Sequence, residues 1–167
     1  DLNTAFDSGG ISNLSDQDVT LTDTSLTASV LNALDDNTSG TIDANTLNTL
    51  TGAAEDLNTA LDSGGISNLS DEDVTLTDTS LTASVLNALD NNTSGSIDAS
   101  TLNTLTGAAV DLNTAFDSGG ISNLGDEDVT LTDTSLTASV LNALDNNTSG
   151  SIDASTLNPL TGAAVDL

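Results

Sequence analysis

The chain consists of a 55-residue sequence that occurs three times in succession without a gap. The copies are residues 1–55 (repeat 1), 56–110 (repeat 2) and 111–165 (repeat 3), and residues 166–167 begin a fourth. A fixed period of this kind is typical of arrays in which each unit packs only against its neighbours. We therefore expect each copy to be one structural unit of a longer array, or of a building block that continues into its neighbours.

The charge of the chain restricts its partners. It carries 26 acidic residues and no Lys, Arg or His, so its formal net charge is −26. Each carboxylate must be solvated, bonded to backbone N–H groups, or neutralised by a cation from outside. Nucleic acid and anionic membranes are excluded, because binding to either requires basic side chains. No stretch approaches the ~18 apolar residues of a membrane span, so we expect no membrane insertion. Divalent cations and neighbouring repeats or identical chains are the expected partners.

Most of the residue types that catalysis needs are missing. The chain has no His, Lys, Cys or Tyr, which removes the common general bases and nucleophiles. Paired carboxylates could hydrolyse glycosides, but the only aromatic residues available to stack on a sugar are Phe6 and Phe116. We therefore expect no enzyme. The absence of cysteine excludes disulfides, and the abundance of Thr, Ser, Asn and Asp suggests an extracellular or cell-surface protein.

The first half of a repeat predicts a strand and a helix, as repeat 2 illustrates. Apolar and polar residues alternate over 73–77, which predicts a short strand. Residues 78–80, beginning with Asp78, supply N-cap candidates. One helix face follows at Leu81, Val85, Leu86 and Leu89. Residues 90–95 form a dense turn signal, and residues 96–98 read as a second short strand.

The second half predicts another helix. Apolar residues recur at steps of three and four at Leu102, Leu105, Ala109, Leu112 and Phe116. This helix crosses into repeat 3 and ends at Gly119 and Gly120. Pro159 replaces Thr104 in the last copy, and proline is tolerated only in a first helical turn. We therefore expect the helix to begin near Asn158, which would cap it, after an extended segment at 151–157.

These elements predict an α/β fold. Strand–helix–strand connections favour parallel strands, so we expect a repeat solenoid with two short parallel strands and two amphipathic helices per repeat. Stacked strands lie ~4.8 Å apart, whereas helices need ~10 Å. A stack with all its helices on one side must therefore curve or coil. The alternative is a mainly α array with EF-hand-like or dockerin-like loops.

The turn at residues 90–98 is the first candidate metal site, because it resembles the calcium loop of EF-hands and dockerins. Such loops place oxygen ligands at positions 1, 3, 5, 7 and 9, glycine at 6 and a carboxylate at 12. Gly95 falls at position 6, but Thr101 stands at position 12. The alternative is a plain helix-to-strand turn with Gly95 in a left-handed conformation. The candidate calcium ligands in the three copies are Asp35, Asn37, Ser39, Thr41 and Asp43, then Asp90, Asn92, Ser94, Ser96 and Asp98, then Asp145, Asn147, Ser149, Ser151 and Asp153.

A cluster of carboxylates around the first strand is the second candidate metal site. It could hold calcium between neighbouring repeats, since calcium prefers hard oxygen ligands. The alternative is a solvated acidic loop in which Asp78 caps the following helix. The cluster comprises Asp16, Asp18 and Asp23 in repeat 1, Asp71, Glu72, Asp73 and Asp78 in repeat 2, and Asp126, Glu127, Asp128 and Asp133 in repeat 3.

Threonine recurs along the first strand, at Thr75, Thr77 and, just beyond it, Thr79. Ladders of threonine on flat parallel sheets can bind ice or mineral lattices. Threonine is also simply a favourable residue at exposed strand positions. One short ladder per repeat makes ice binding the weaker interpretation.

Three runs of each repeat resemble a known group of proteins. Residues 65–78, 82–90 and 104–112 are similar to the tandem repeats of very large acidic cell-surface proteins of cyanobacteria, often described as haemolysin-type or calcium-binding. The resemblance covers the whole repeat and implies an exported protein of the cell surface or extracellular matrix. The glycine–aspartate nonapeptides of the RTX class are missing from this chain, so their mode of calcium binding is not implied.

Together these patterns predict a structural protein. We expect an extended, acidic extracellular filament, stalk or surface-layer fibre that calcium stiffens by linking carboxylates. The alternative is an array of calcium-dependent adhesin modules that bind glycan, mineral or ice. The lack of aromatic residues argues against glycans.

Overall fold

The computed structural model describes residues 1–164 as an α/β protein. The end of repeat 3 at Val165 and the expected start of a fourth copy at residues 166–167 lie outside the described residues. None of the helices in the described range is long and apolar enough to cross a membrane. The six helices of this range are α1 (Leu2–Phe6), α2 (Ala28–Asn37), α3 (Ala54–Leu61), α4 (Ala83–Asn92), α5 (Ala109–Phe116) and α6 (Ala138–Asn147).

Short parallel strands make up the rest of the regular structure. They form sheets of three, five, four and two strands. The strands are β1 (Val19–Thr20), β2 (Ser25–Thr27), β3 (Ile42–Asp43), β4 (Thr49–Gly52), β5 (Ile66–Ser67), β6 (Asp73–Leu76), β7 (Ser80–Thr82), β8 (Ile97–Asp98), β9 (Thr104–Gly107), β10 (Ile121–Ser122), β11 (Asp128–Leu131), β12 (Leu136–Thr137), β13 (Ile152–Asp153) and β14 (Leu160–Thr161).

Each strand pairs with strands that lie slightly less than half a repeat away along the chain. In the largest sheet, Leu50 lies between Leu26 and Val74, and Val74 also pairs with Ile97. Each helix packs against the next helix in sequence. Because each repeat contains two helices, strand pairing advances along the chain faster than helix packing does. As a result β4 directly precedes α3, whereas β6 and β8 lie progressively further before α4 and α5.

This oblique course explains why no sheet continues through the whole molecule. A sheet begins just before a helix, drifts away from the helix row with each added strand, and ends after at most five strands. A new sheet begins one repeat later, as the equivalent strands β2, β7 and β12 show. The drift accommodates strands ~4.8 Å apart beside helices ~10 Å wide.

The core lies between the inner faces of the strands and one face of each helix. Leu105 of β9 is fully buried between Leu81 and Val129 of the adjoining strands. In α4, Ala83, Leu86 and Leu89 form the buried face, at steps of three residues. The small Ala residues at the helix starts let the strands approach closely. Burial of these apolar groups is the main favourable term for the fold.

The predicted fold class is confirmed at the level of α/β, with parallel strands, and the mainly α alternative is wrong. The predicted number of strands is also wrong, because repeat 2 contains five strands (β5 to β9) rather than two. Residues 80–82, predicted to begin a helix, form β7, since Leu81 points inward while its neighbours Ser80 and Thr82 stay exposed. Residues 66–67, predicted to be a loop, form β5.

The second predicted helix is shorter than expected. It begins at Ala109, with Ala108 as its N-cap, and residues 104–107 form a strand. Leu102 is buried from a turn and Leu105 from a strand, so their helical spacing arises without a helix. The predicted cap at Asn158 is therefore wrong, and Pro159 instead directly precedes β14.

Candidate functional site

The predicted calcium loop at 90–98 covers the end of α4, a turn and β8. Asp90 and Asn92 lie within the helix, Ser94 lies in the turn, and Asp98 ends the strand. The backbone carbonyl of Ser96, expected as a calcium ligand, accepts a hydrogen bond from the N–H of Val74 at 2.7 Å. Strand pairing therefore already uses one of the expected ligand groups.

The side chains of this loop bond to several different segments. Oδ2 of Asp90 accepts a hydrogen bond from Oγ of Ser118 at 2.8 Å. The amide of Asn92 donates to Oδ1 of Asn58 at 2.9 Å. The remaining copies make the same kinds of contact, which include those of Asp35 with Ser63, Asn37 with Asn3, Asp43 with Asn68, and Asn147 with Asn113. The structure does not turn these groups towards one point, and calcium at this loop stays a prediction.

The turn instead packs onto the acidic segment of the preceding strand. The hydroxyl of Thr93 donates to the carbonyl oxygen of Glu72 at 2.9 Å, and the N–H of Ser94 donates to that of Ser70 at 2.8 Å. The other two copies repeat the Thr hydroxyl bond, from Thr38 to Gln17 and from Thr148 to Glu127. The two candidate metal sites, which the sequence treats as separate, are therefore one place in the fold.

Gly95 is required here for close approach rather than for an unusual backbone angle. A Cβ at this position would overlap the carbonyl oxygen of Glu72. The left-handed conformation expected for Gly95 is wrong. Within residues 1–164, positive φ angles occur instead at Asn13, Asn68, Asn123 and Gly125.

Asp73 and its counterparts in the other repeats anchor this turn. Oδ1 of Asp73 accepts from both the N–H and the hydroxyl of Ser96, at 2.9 and 2.8 Å. These two bonds, the N–H bond first, lower the pKa of Asp73. Asp128 is held likewise by Ser151, whose hydroxyl lowers its pKa most. In repeat 1, Asp18 accepts from the N–H of Thr41 at 2.8 Å.

Two further aspartates of the candidate loop also have a lowered pKa. The side-chain amide of Asn123 is the first cause for Asp98, at 2.8 Å, followed by the N–H of Ser100. The N–H of Ser155 is the first cause for Asp153. Both carboxylates are therefore stabilised as anions by turns of their own, with Asp98 also tied to a neighbouring segment.

Asp78 and Asp133 cap helices that precede them in the sequence. Oδ2 of Asp78 accepts from the N–H of Ala54, the first residue of α3, at 2.8 Å. Asp133 does the same for Ala109 of α5 at 2.7 Å. The prediction that Asp78 caps the helix immediately after it is wrong, because Thr82 occupies that position. Asp23 and Asp16 of repeat 1 are exposed, and Asp16 accepts from the amide of Gln17 at 2.9 Å.

The most unusual carboxylates are Glu72 and Glu127, which the sequence places among exposed acids. Their side chains are only 2% and 1% exposed. Oε2 of Glu127 accepts from the N–H groups of Gly125 and Asp126, at 2.7 and 3.1 Å. Its Oε1 is buried without a hydrogen-bond partner among the described residues. Burial is the first cause that raises the pKa of Glu72. The signal in the sequence is the change from Gln17 in repeat 1 to Glu in the other two.

A polar cleft occurs twice at this place, at equivalent positions of successive repeats. The first copy has a volume of about 350 Å³ and lies between residues 45–48 and 68–72. The second, of about 450 Å³, lies between residues 100–103 and 123–126. Within residues 1–164 no three acidic side chains cluster closely enough to hold a metal ion by themselves. Any cation here would need neutral oxygen ligands as well.

The threonine row is shorter than a continuous ladder. Thr27, Thr51 and Thr75 lie side by side on the outer face of three paired strands. The row continues as Asp98 and then Ser122, so it presents a change of side chain after three positions. Binding of ice or mineral stays a prediction.

Both ends of the molecule expose residues that its interior buries. Leu50 and Leu105 are fully buried, whereas Leu160, at the same position of repeat 3, is 51% exposed. Likewise Leu57 and Leu112 are fully buried, whereas Leu2 is 40% exposed. The buried copies are covered by the next or the preceding repeat. Each repeat therefore offers two apolar faces that fit its neighbours.

Comparison with known proteins adds no relative: no family model, curated protein or solved structure matches this chain.

Proposed function

We propose that this chain is a structural repeat protein whose units stack as an α/β solenoid into an extended acidic filament. The observation that carries the proposal is the contrast between Leu105 and Leu160. The same leucine is fully buried between repeats and 51% exposed at the end. Burying a leucine side chain stabilises by about 1.5–3 kcal/mol. Each added unit would therefore gain stability from its neighbour, as in other one-dimensional arrays.

The polar contacts between helices support the same role. A chain without basic side chains cannot link its helices by salt bridges. Asn58 of α3 instead donates to the carbonyl of Val85 in α4 at 3.2 Å and accepts from Asn92 at 2.9 Å. Asn32 donates to the carbonyl of Asp56 in the same way, at 3.0 Å. Neutral amides join neighbouring units, and the carboxylates remain at the surface.

The acidic surface supplies the colloidal part of the function. A net charge of −26 on 167 residues keeps the filament hydrated and prevents side-by-side association. It also gathers counter-ions, and calcium would stiffen the filament by linking carboxylates of neighbouring units. A surface of Thr, Ser, Asn and Asp without lysine suits the outside of the cell, and we place the filament there.

The occupant of each end face is a second copy of this chain or another repeat. Within the molecule, repeat 2 is already seated on repeat 1, and repeat 3 on repeat 2, through identical residues. The face around Leu2 and the face around Leu160 are the two halves of that same junction. Joining them would continue the strand pairing and the helix row without any new kind of contact.

The proposal is tested by measuring assembly of the purified chain. Sedimentation velocity and negative-stain microscopy over a range of concentrations should show linear oligomers, with salt added to screen the charge. Leu160→Asp should abolish them, since it places a charge in the end face. Val110→Asp is the matched control, because Val110 is 68% exposed and belongs to neither end face. A chain that stays monomeric throughout, or oligomers that Leu160→Asp leaves intact, would overturn head-to-tail assembly.

A further inference from the structure

Glu127 is a buried carboxylate that no group of the chain neutralises. Its side chain is 1% exposed, and Oε1 has no hydrogen-bond partner among residues 1–164. The sequence offers no Lys, Arg or His to pair with it. An ionised carboxylate buried without a partner is costly, so burial requires either a proton or a cation. The neighbouring Asp126 is exposed and adds a second negative charge.

Glu72 shows where a cation would lie. It occupies the position of Glu127 one repeat earlier and lines the cleft between residues 45–48 and 68–72, together with Asp71. Oε2 of Glu72 is fixed by the N–H of Asp71 at 3.2 Å. The fixed carboxylate therefore stands beside an exposed one at the wall of a polar cleft.

Neutral oxygen atoms complete the lining. The side-chain nitrogen of Asn68 donates to Asp43 at 2.8 Å, and that of Asn48 donates to the carbonyl of Thr46 at 3.4 Å. Both amides therefore use their nitrogen outside the cleft, which leaves each Oδ1 free to accept. The second copy repeats both contacts, from Asn123 to Asp98 at 2.8 Å and from Asn103 to the carbonyl of Thr101 at 3.3 Å.

We propose that each of the two clefts binds one hard divalent cation such as Ca²⁺, ligated by the carboxylates of Glu72 and Asp71 and the amide oxygens of Asn48 and Asn68. In the second cleft the equivalent ligands are Glu127, Asp126, Asn103 and Asn123. Calcium takes six to eight oxygen ligands, which include carboxylates, amide carbonyls and water. A cleft of about 350 Å³ has room for the ion and the waters that complete its shell.

This site deepens the proposed function, on which it rests, because it names the place where cations link neighbouring segments of the filament. The ligands come from two chain segments whose flanking strands pair with one another, β3 with β5 and β4 with β6. A cation between them would tie one layer of the stack to the next. The ligands differ from those of the loop at 90–98, so the two sites can be separated experimentally.

Calorimetric titration of the metal-free protein with CaCl₂ tests the proposal, in enough NaCl to suppress diffuse counter-ion binding. We expect saturation at two ions per chain. The variant Glu72→Gln should retain one site, and Glu72→Gln with Glu127→Gln should retain none. Glutamine is the residue that the chain itself carries at position 17. Asp36→Asn with Glu55→Gln is the matched control: it also removes two charges, from exposed positions, and should retain both sites.

A second variant keeps the test valid if the glutamine variants fold poorly by circular dichroism. Asn48→Ala with Asn103→Ala changes only exposed, neutral side chains and should weaken binding by about tenfold or more. Non-saturating binding by the parent protein would overturn the proposal and leave a proton on Glu127. So would two ions bound by the double glutamine variant. Assembly of a chain that binds no calcium would reject the site alone, whereas two bound ions on a permanent monomer would reject the filament alone.

Discussion

The carboxylate of Asp78 caps a helix that begins at Ala54, in the preceding half-repeat, through a hydrogen bond of 2.8 Å. The N-cap position of this helix is Ala53, which has no polar side chain to offer. An N-terminal helix turn leaves N–H groups without partners unless a side chain accepts from them. The cap of α3 is therefore supplied by the next unit, and helix stability depends on packing between units.

Replacing Asp78 with Ala should destabilise the protein by about 1 kcal/mol, the usual value of an N-cap bond. Urea unfolding followed by circular dichroism measures this change. Asp23→Ala is the matched control, because it removes the same charge at the equivalent position of repeat 1. The sequence has no counterpart of Ala54 before Asp23 for it to cap. Equal losses in the two variants would show that the cap contributes nothing.

Gly95→Ala should cost about 1–3 kcal/mol, because the added Cβ would overlap the carbonyl oxygen of Glu72 and push the turn off the neighbouring segment. Gly64→Ala provides the comparison, since nothing lies within 4 Å of a Cβ built there. The midpoint of thermal unfolding should fall for the first variant and stay nearly unchanged for the second. A tolerant Gly95 would contradict the close contact between turn and acidic segment.

Truncating equivalent leucines should have unequal effects. Leu105→Ala removes a fully buried side chain and should cost about 2–5 kcal/mol. Leu160→Ala, at the same position of repeat 3, should cost less than about 1 kcal/mol in the monomer, because this side chain is already half exposed. Urea unfolding at low protein concentration gives both values. Similar losses would mean that burial between repeats does not stabilise the fold.

Stability should pass through a maximum as the pH is lowered. Burial raises the pKa of Glu72, so the folded state gains stability as the pH falls from 7 through that raised value towards the ordinary glutamate value of about 4.3. Protonation also relieves the repulsion between carboxylates. The lowered pKa values of Asp73, Asp98 and Asp128 act in the opposite sense. Their contribution is complete above about pH 3.9 and is lost as the pH falls through the lowered values.

Thermal unfolding at a series of pH values between 7 and 2, at fixed ionic strength and in EDTA, measures this profile. Glu72→Gln should flatten the rise towards the maximum, and Asp73→Asn should weaken the loss on its acid side. A melting temperature that falls steadily from neutral pH would contradict the assignment of opposite shifts.

Local patterns in the sequence predict the elements that depend on local forces. The alternation over 73–77 yields β6, and the spacing of Leu86 and Leu89 yields most of α4. The short strands β7 and β9 are missed, because each consists of a few residues whose partners lie almost half a repeat away. The apolar spacing from Leu102 to Ala109 fits a helix equally well, and only tertiary packing decides against it.

Strand register and the buried glutamates are beyond local reasoning. The similarity between residues 76–81 and 97–102 would align Leu81 with Leu102, whereas the structure pairs it with Leu105. Glu72 stands between two aspartates that are exposed, and only the fold shows that its own side chain is buried. Burial of this kind is set by the turn at 93–96 that packs over the segment, and that turn follows only after β6, β7 and α4.

The most direct test of the central claim is small-angle X-ray scattering of a chain with six repeats, in which residue 165 is joined to a second copy of residues 1–165. This join restores the step from Val110 to Asp111 that the chain already contains. Each repeat adds two helices, each about 10 Å wide, so the maximum dimension should increase by about 60 Å while the radius of the cross-section stays constant. A cross-section that grows with the number of repeats would show that the units collapse together rather than stack, and would contradict the filament.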